Sequence, residues 1–367
     1  WDAPEASVEG WGPVAVEDVA LTPEPRLAPP VRVTEELAVA EVLTTPSGAT
    51  VLDFGQNLVG RVRVRVTGDA GAEITLRHAE VLEDGEMGMR PLREAVQTDR
   101  FTLAGDGVEV LEPEFTFHGF RYVEVSGWPG AIDPAAFTAR VLHSDMARTA
   151  RFDSSHALVN RLHENVLWGM RGNFLSIPTD CPQRDERMGG TGDIQVFAPA
   201  AEFLYGADGV LASWLSDVAV EQGPDGWVPN FVPWVECGFP SAASAAWGDA
   251  AVVVPWVMYQ RRGDRGILES QWPSMAAWIS HFELRLGPDD VVEGSMELGD
   301  WLDPAAPPED PGAGRTDKYL VASAYLVRSA RLAAEAARVL GSDGEAARLR
   351  ALSERVLAGM RRRWLDD

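Results

Sequence analysis

Between Pro178 and Asp193 the chain gathers four carboxylates (Asp180, Asp185, Glu186 and Asp193) and two arginines (Arg184 and Arg187), set between prolines and glycines. Crowded carboxylates raise one another's pKa, which is what a general acid requires. Loops flanked by Pro and Gly on a helical scaffold are also where binding groups collect. A purely structural reading stands level with this one. Asp180 would cap a short helix with Gln183 completing a capping box, Asp193 would cap the next helix, and the charges would be solvated.

Tryptophan is the second signal. Eight of the thirteen lie between Trp214 and Trp301. Trp214, Trp256 and Trp278 fall in apolar helical stretches and read as core. Trp227, Trp234, Trp247 and Trp301 stand among Gly, Pro and Asp, where an indole offers a flat apolar face to a ligand. A sugar ring, with C–H groups on one face and hydroxyls at its rim, suits a lining of tryptophans and carboxylates. The remaining candidates are weaker. Gly55-Gln56-Asn57 reads as a strand-to-strand turn, and His118 as a structural residue of a sandwich. Cys181 would be a nucleophile only beside a base, and neither His156 nor His163 stands in such an arrangement. No glycine-rich phosphate cradle follows a strand.

Three stretches would position these groups. Residues 1–45 are proline-rich (Pro4, Pro13, Pro23, Pro25, Pro29, Pro30) and read as a connecting arm carrying one or two edge strands. Over 46–147 the period is two: Val62, Val64 and Val66 alternate with Arg61, Arg63 and Arg65. Further short strands are predicted at 51–54, 73–77, 101–103, 108–111, 120–125 and 137–142, which together suggest a β-sandwich. Over 148–367 the period becomes helical. Leu158, Leu162, Val166 and Met170 mark one amphipathic helix. Tyr319 to Leu340 and the stripe Leu349, Leu352, Val356, Met360 mark an αα-hairpin turning at Gly341–Gly344. Long loops are expected at 222–246 and 285–316.

The formal charge of −24 repels phosphate backbones and anionic lipid, so neither nucleic acid nor membrane is an expected partner. No apolar run approaches the roughly 18–20 residues of a membrane span. Cys181 and Cys237 make no disulfide framework and lack metal-ligand spacing, and no calcium loop is present, so no metal or cofactor is expected. The first residues, Trp1-Asp2-Ala3-Pro4-Glu5, do not resemble a signal peptide, which favours a cytoplasmic location, and the missing initiator methionine suggests a processed form or a fragment.

The run Thr179-Asp180-Cys181-Pro182-Gln183-Arg184-Asp185-Glu186-Arg187, with Gly189, Thr191-Gly192-Asp193 and Gln195-Val196-Phe197-Ala198 behind it, resembles the signature of bacterial α-L-rhamnosidases of glycoside hydrolase family 78. Asp53–Asn57, Leu76–Leu82 and Phe117–Tyr122 are similar to the β-sandwich domain that precedes the catalytic domain in that family. The resemblance runs from about residue 25 to the C-terminus. It implies a multidomain β + α protein, a jelly-roll β-sandwich followed by an (α/α)6 toroid, that hydrolyses terminal non-reducing α-L-rhamnose from glycosides or polysaccharides with inversion. By motif position Glu186 would be the general acid. Asp180, Arg184, Asp185 and Asp193 would bind the substrate, with Trp247 and Trp301 lining the sugar pocket.

Two departures qualify the resemblance. Twelve helices with their loops, at roughly 25–30 residues each, need more than about 300 residues; residues 151–367 supply 217. The toroid is therefore expected to be incomplete and the general base to lie outside this chain, with apolar stripes left exposed that would make the segment poorly soluble or oligomeric. The family also usually carries a tryptophan where this chain has Gly190. A catalytically inactive rhamnose-binding or scaffold protein is the alternative function, and a lyase on the same toroid ranks last.

Overall fold

The computed structural model describes residues 7–23, 25–238 and 242–365. The opening residues Trp1–Glu5, with Pro4, lie outside the described residues. Strands β1 (Val31–Ala38) and β2 (Glu41–Thr44) supply the edge strands expected of the proline-rich arm. They are followed by β3 (Thr50–Val66), β4 (Glu73–Ala79), the short hairpin β5 (Leu82–Glu83) and β6 (Glu86–Met87), β7 (Thr98–Thr102), β8 (Glu109–Leu111), β9 (His118–Ser126) and β10 (Phe137–Ser144).

Eight of these strands form one antiparallel sheet in the order β1-β10-β3-β9-β4-β7, with β2 and β8 also pairing with β3. The sheet curls around an interior of Leu52, Val62, Val64, Ile74, Leu76, Phe120, Val123 and Phe137. The valine-arginine alternation behaves as read: Val62, Val64 and Val66 are buried and the intervening arginines are not. The expected turn at Gly55–Asn57 is a correction. The chain runs through it as a single 17-residue strand whose register against β9 shifts between Asp53 and Leu58. Asp53 pins this irregularity, accepting from the Gly55 N–H at 2.6 Å and from Arg121 Nε and Nη2 at 2.8 Å each. A bulge closed by a bidentate ion pair needs no chain reversal.

The second half is helical: α1 (Ala157–Asn173), a two-residue hairpin β11 (Phe174–Leu175) and β12 (Ile177–Pro178), then α2 (Thr191–Leu204), α3 (Asp208–Glu221), α4 (Ala250–Arg262), α5 (Arg265–Glu283), α6 (Lys318–Val339) and α7 (Asp343–Trp364). The long loops therefore connect α3 to α4, described over 222–238 and 242–249, and α5 to α6 over 284–317. The α6–α7 turn is Leu340–Ser342, one residue tighter than expected, with Gly341 at φ 81° and Ser342 N–H donating to the Ala337 carbonyl. Buried alanines on α6, from Ala322 to Ala337, let its neighbours approach closely. No described helix is long and apolar enough to cross a membrane.

The stripe on α1 departs from expectation. Leu158 is 74% exposed and Leu162 62% exposed, whereas Leu167 and Met170 are buried. The first two turns of this face stay largely exposed, and periodicity alone does not show where the packing partner stops. In this chain Leu158→Ser should leave the unfolding free energy within about 0.5 kcal/mol. Leu167→Ala should cost about 2–5 kcal/mol. Denaturant titration checks both, and equal losses would contradict the assigned burial.

Candidate active site

The charged loop that follows β12 forms no helix, so the expected cap at Asp180 is replaced by a closed ring. The Asp180 N–H donates to the Met188 carbonyl (2.8 Å), and the Met188 N–H donates to Asp180 Oδ1 (3.0 Å). Asp193 likewise is no cap; it lies in the first turn of α2, which starts after Gly190. Thr191 fastens that turn to the Pro229 and Asn230 carbonyls, and the buried Trp214 indole N–H holds the Val232 carbonyl at 2.9 Å.

The sandwich supports the loop from the other side. A Cβ on Gly119 of β9 would lie 2.9 Å from Gln183 Cβ, so only glycine allows this approach. Arg187 lies over the Phe117 ring, 4.5 Å from its centroid, and donates to the Phe117 carbonyl at 2.8 Å.

Two adjoining cavities of about 850 and 280 Å³ open beside the loop and share Asp180, Asp193 and Trp247. Asp300, Trp301 and Tyr325 line the larger; Asp185, Glu186, Arg93, Phe231 and Trp234 line the smaller. Glu186 Oε2 accepts from Arg184 Nε at 2.8 Å and lies 3.1 Å from Arg93 Nη1. Asp180 and Glu186 place carboxylate oxygens within 4.8 Å of each other. Burial first, and the Glu186 carboxylate second, push the Asp180 carboxyl up to about 6. Asp193 faces the cleft, yet the protein around its carboxyl raises its pKa, with Glu186 adding and Arg184 opposing.

Of the residues singled out in the sequence, Asp180, Asp185, Glu186, Asp193, Trp247 and Trp301 reach these cavities. Arg184 lines neither and stands against Glu186 instead. Trp227 packs over Gly223 and lines neither cavity.

The walls are held by buried carboxylates. Glu297 accepts from the Ala245 N–H (2.8 Å) and from the Ser244 and Ser295 hydroxyls. Asp249 accepts from the Ala246 N–H (2.8 Å) and the Ser329 hydroxyl. Together they fix the turn that presents Trp247, whose indole covers Gly192 so closely that a Cβ there would lie 2.8 Å from Nε1. Asp303 accepts from the Ala305 and Arg315 N–H groups and from the Arg315 side chain, which fixes the loop bearing Trp301. Where the resemblance led one to expect a tryptophan, Gly190 sits beside the stacked pair Phe231 and Trp234, with ring centroids 4.7 Å apart.

Two family models match: the bacterial α-L-rhamnosidase six-hairpin glycosidase domain over residues 147–367, and the bacterial α-L-rhamnosidase concanavalin-like domain over residues 43–143. The chain belongs to the bacterial α-L-rhamnosidase family. An α-L-rhamnosidase of Streptomyces avermitilis is 43% identical over 346 residues, covering 94% of this chain and 32% of that protein. The structure of a native α-L-rhamnosidase from Aspergillus terreus matches with a TM-score of 0.89 at 44% identity, over 93% of this chain and 40% of that one. The Streptomyces avermitilis enzyme, solved in complex with L-rhamnose, matches with a TM-score of 0.86 at 42% identity, over 93% and 32% of the two chains. This chain spans about a third to two fifths of the length of the curated relatives it matches. The β-sandwich followed by a domain of helical hairpins is thus the family's architecture.

Among the described residues, two side-chain groups of this rhamnosidase-family chain have the composition of a metal site, and neither suits one. In Asp180–Cys181–Glu186 the thiol is pushed up to about 12, chiefly by burial, which disfavours the thiolate that metal binding or nucleophilic attack uses. In His78–Asp99–His118 the imidazoles are stacked 4.3 Å apart, so no single ion lies in both ring planes; His118 Nε2 and Asp99 Oδ1 are 2.9 Å apart, a hydrogen bond inside the sandwich.

Arg93, Asn230, Phe231 and Tyr325 are among the cavity residues that the sequence did not point to. Arg93 follows a three-residue 3-10 turn, far from the signature in sequence, and only the domain contact brings it in. Removing a like charge should lower the Asp180 pKa from about 6 towards the usual carboxylate range. Carboxyl titration of Glu186→Gln by infrared or NMR checks this, and an unchanged value would remove Glu186 as a cause.

Proposed function

We propose that this chain supplies the acid side of an inverting glycoside hydrolase site that releases terminal non-reducing α-L-rhamnose, with Glu186 as the general acid. The observation that carries the reading is the junction of the two cavities, where Asp180, Asp193 and Trp247 meet within reach of Glu186. A relative of 42% identity was solved with L-rhamnose bound.

In this reading Trp247 and Trp301 take the apolar face of the deoxysugar, and Asp180, Asp185 and Asp193 accept from its hydroxyls. Glu186 protonates the glycosidic oxygen as the bond to the anomeric carbon lengthens, and the surrounding carboxylates favour the positive charge that develops on the ring. Arg184 acts on Glu186 instead of on the sugar. An inverting pair places its carboxyls about 6.5–9.5 Å apart, with water on the opposite ring face. Asp249, Glu297 and Asp303 are committed to backbone N–H groups, so the base is assigned to none of these three.

A second reading, binding of rhamnose without turnover, draws on the pairing of Glu186 with two guanidinium groups, which holds its carboxylate in place. The natural full-length protein separates the two. Hydrolysis of an alkyl or disaccharide α-L-rhamnoside is expected, and Glu186→Gln should lower kcat by about 10²–10⁴-fold. Binding of L-rhamnose by calorimetry with no turnover would instead establish the second reading. Trp247→Ala should weaken L-rhamnose binding about tenfold, for a loss of about 1.4 kcal/mol. Unchanged affinity would remove Trp247 from the sugar pocket.

A further inference from the structure

We propose that Arg93, from the sandwich domain, is a positioning residue for Glu186, so that the active site is completed across the domain boundary. The inference rests on the assignment of Glu186 as the acid.

Three observations converge on it. Arg93 Nη1 lies 3.1 Å from Glu186 Oε2 and 3.6 Å from Asp185 Oδ1, and Arg93 lines the same small cavity as both. Its backbone sits at φ 55°, ψ −114°, a region that non-glycine residues seldom occupy and that persists only when surroundings impose it. The turn is imposed by Leu92, 1% exposed in the core, and by the Arg93 N–H donating to the Arg90 carbonyl. Finally, the signature loop is seated on the sandwich by two contacts that do not involve Arg93: Gly119 against Gln183 and Arg187 on Phe117. The span from Arg93 to Glu186 is therefore fixed by the domain contact itself.

The chemistry follows from which oxygen is taken. Arg184 and Arg93 both address Oε2 of Glu186, which leaves Oε1 to carry the transferable proton. In the step, Oε1 gives that proton to the glycosidic oxygen, the bond from this oxygen to the anomeric carbon breaks with its electron pair going to the oxygen, and the new Glu186 carboxylate is left beside two cations. Water, deprotonated by the base, completes the anomeric carbon. The charged groups facing Glu186 are Arg184, Asp180 and Asp185 on its own loop, Asp193 on α2, and Arg93 from the sandwich. Arg93 is the one cation among them that another domain supplies.

The test is the pH dependence of kcat/KM for the natural full-length protein on an alkyl α-L-rhamnoside and on a 2,4-dinitrophenyl one. A cation beside a carboxylate favours ionisation, so its loss keeps the proton on to higher pH. In Arg93→Ala the alkaline limb should move up by about one pH unit, allowing for the half-exposed arginine. kcat should fall about tenfold or more on the alkyl substrate and little on the dinitrophenyl one, whose departure needs no proton. Arg93→Lys should restore the limb, and in a Glu186→Gln background Arg93→Ala should shift nothing further. An unmoved limb in Arg93→Ala, or equal losses on both substrates, overturns the proposal. Arg93→Gln, which keeps the side chain's length without its charge, repeats the measurement should the alanine variant fold poorly. Glu186→Gln retaining full activity on the alkyl substrate would instead defeat the acid assignment, a result independent of Arg93.

Discussion

Four carboxylates cannot share one small cleft unless their charge is offset, and that constraint shapes the region around Glu186. Like charges at this spacing repel strongly once solvent is partly excluded. The offset comes in two forms. Arg184 and Arg93 converge on one oxygen of Glu186, and the Asp180 carboxyl, at about 6, holds its proton well above the usual carboxylate range. In a chain carrying a net charge of −24, cations placed at this point are a specific arrangement and not an average property of the surface.

The same constraint explains why the sandwich is a working part of the site. The signature loop has no helix of its own to set its shape; the Asp180–Met188 ring closes it and β9 supports it. Around it, buried acids do structural work. Glu297, Asp249 and Asp303 each accept from backbone N–H groups of a turn that carries or adjoins a cavity-facing tryptophan. Carboxylates thus divide into those spent on shaping loops and those left facing the cleft.

Much of this was legible in the sequence, for physical reasons that differ by residue. The change from period two to helical period marked the two architectures, and the dense charge of 178–193 marked a loop that lines both cavities, because both are local patterns. The Gly55–Asn57 segment misled, since a bulge pinned by Arg121 and a turn share the same residue types. Leu158 and Leu162 have the right spacing for a core but stay largely exposed. Arg184, expected to bind the substrate, lines neither cavity and pairs with Glu186, because a motif fixes adjacency along the chain and not the direction of a side chain. Arg93 left no local trace at all; its role depends on tertiary contact between domains.

The central claim is that Glu186 delivers a proton to the leaving oxygen. It is tested most directly by the dependence of kcat/KM on leaving-group acidity across a series of aryl α-L-rhamnosides, for the natural full-length protein and for Glu186→Gln. The account predicts a shallow dependence in the natural protein and a steep one in the variant, the two converging for the most acidic phenols. Parallel lines of equal slope would contradict it.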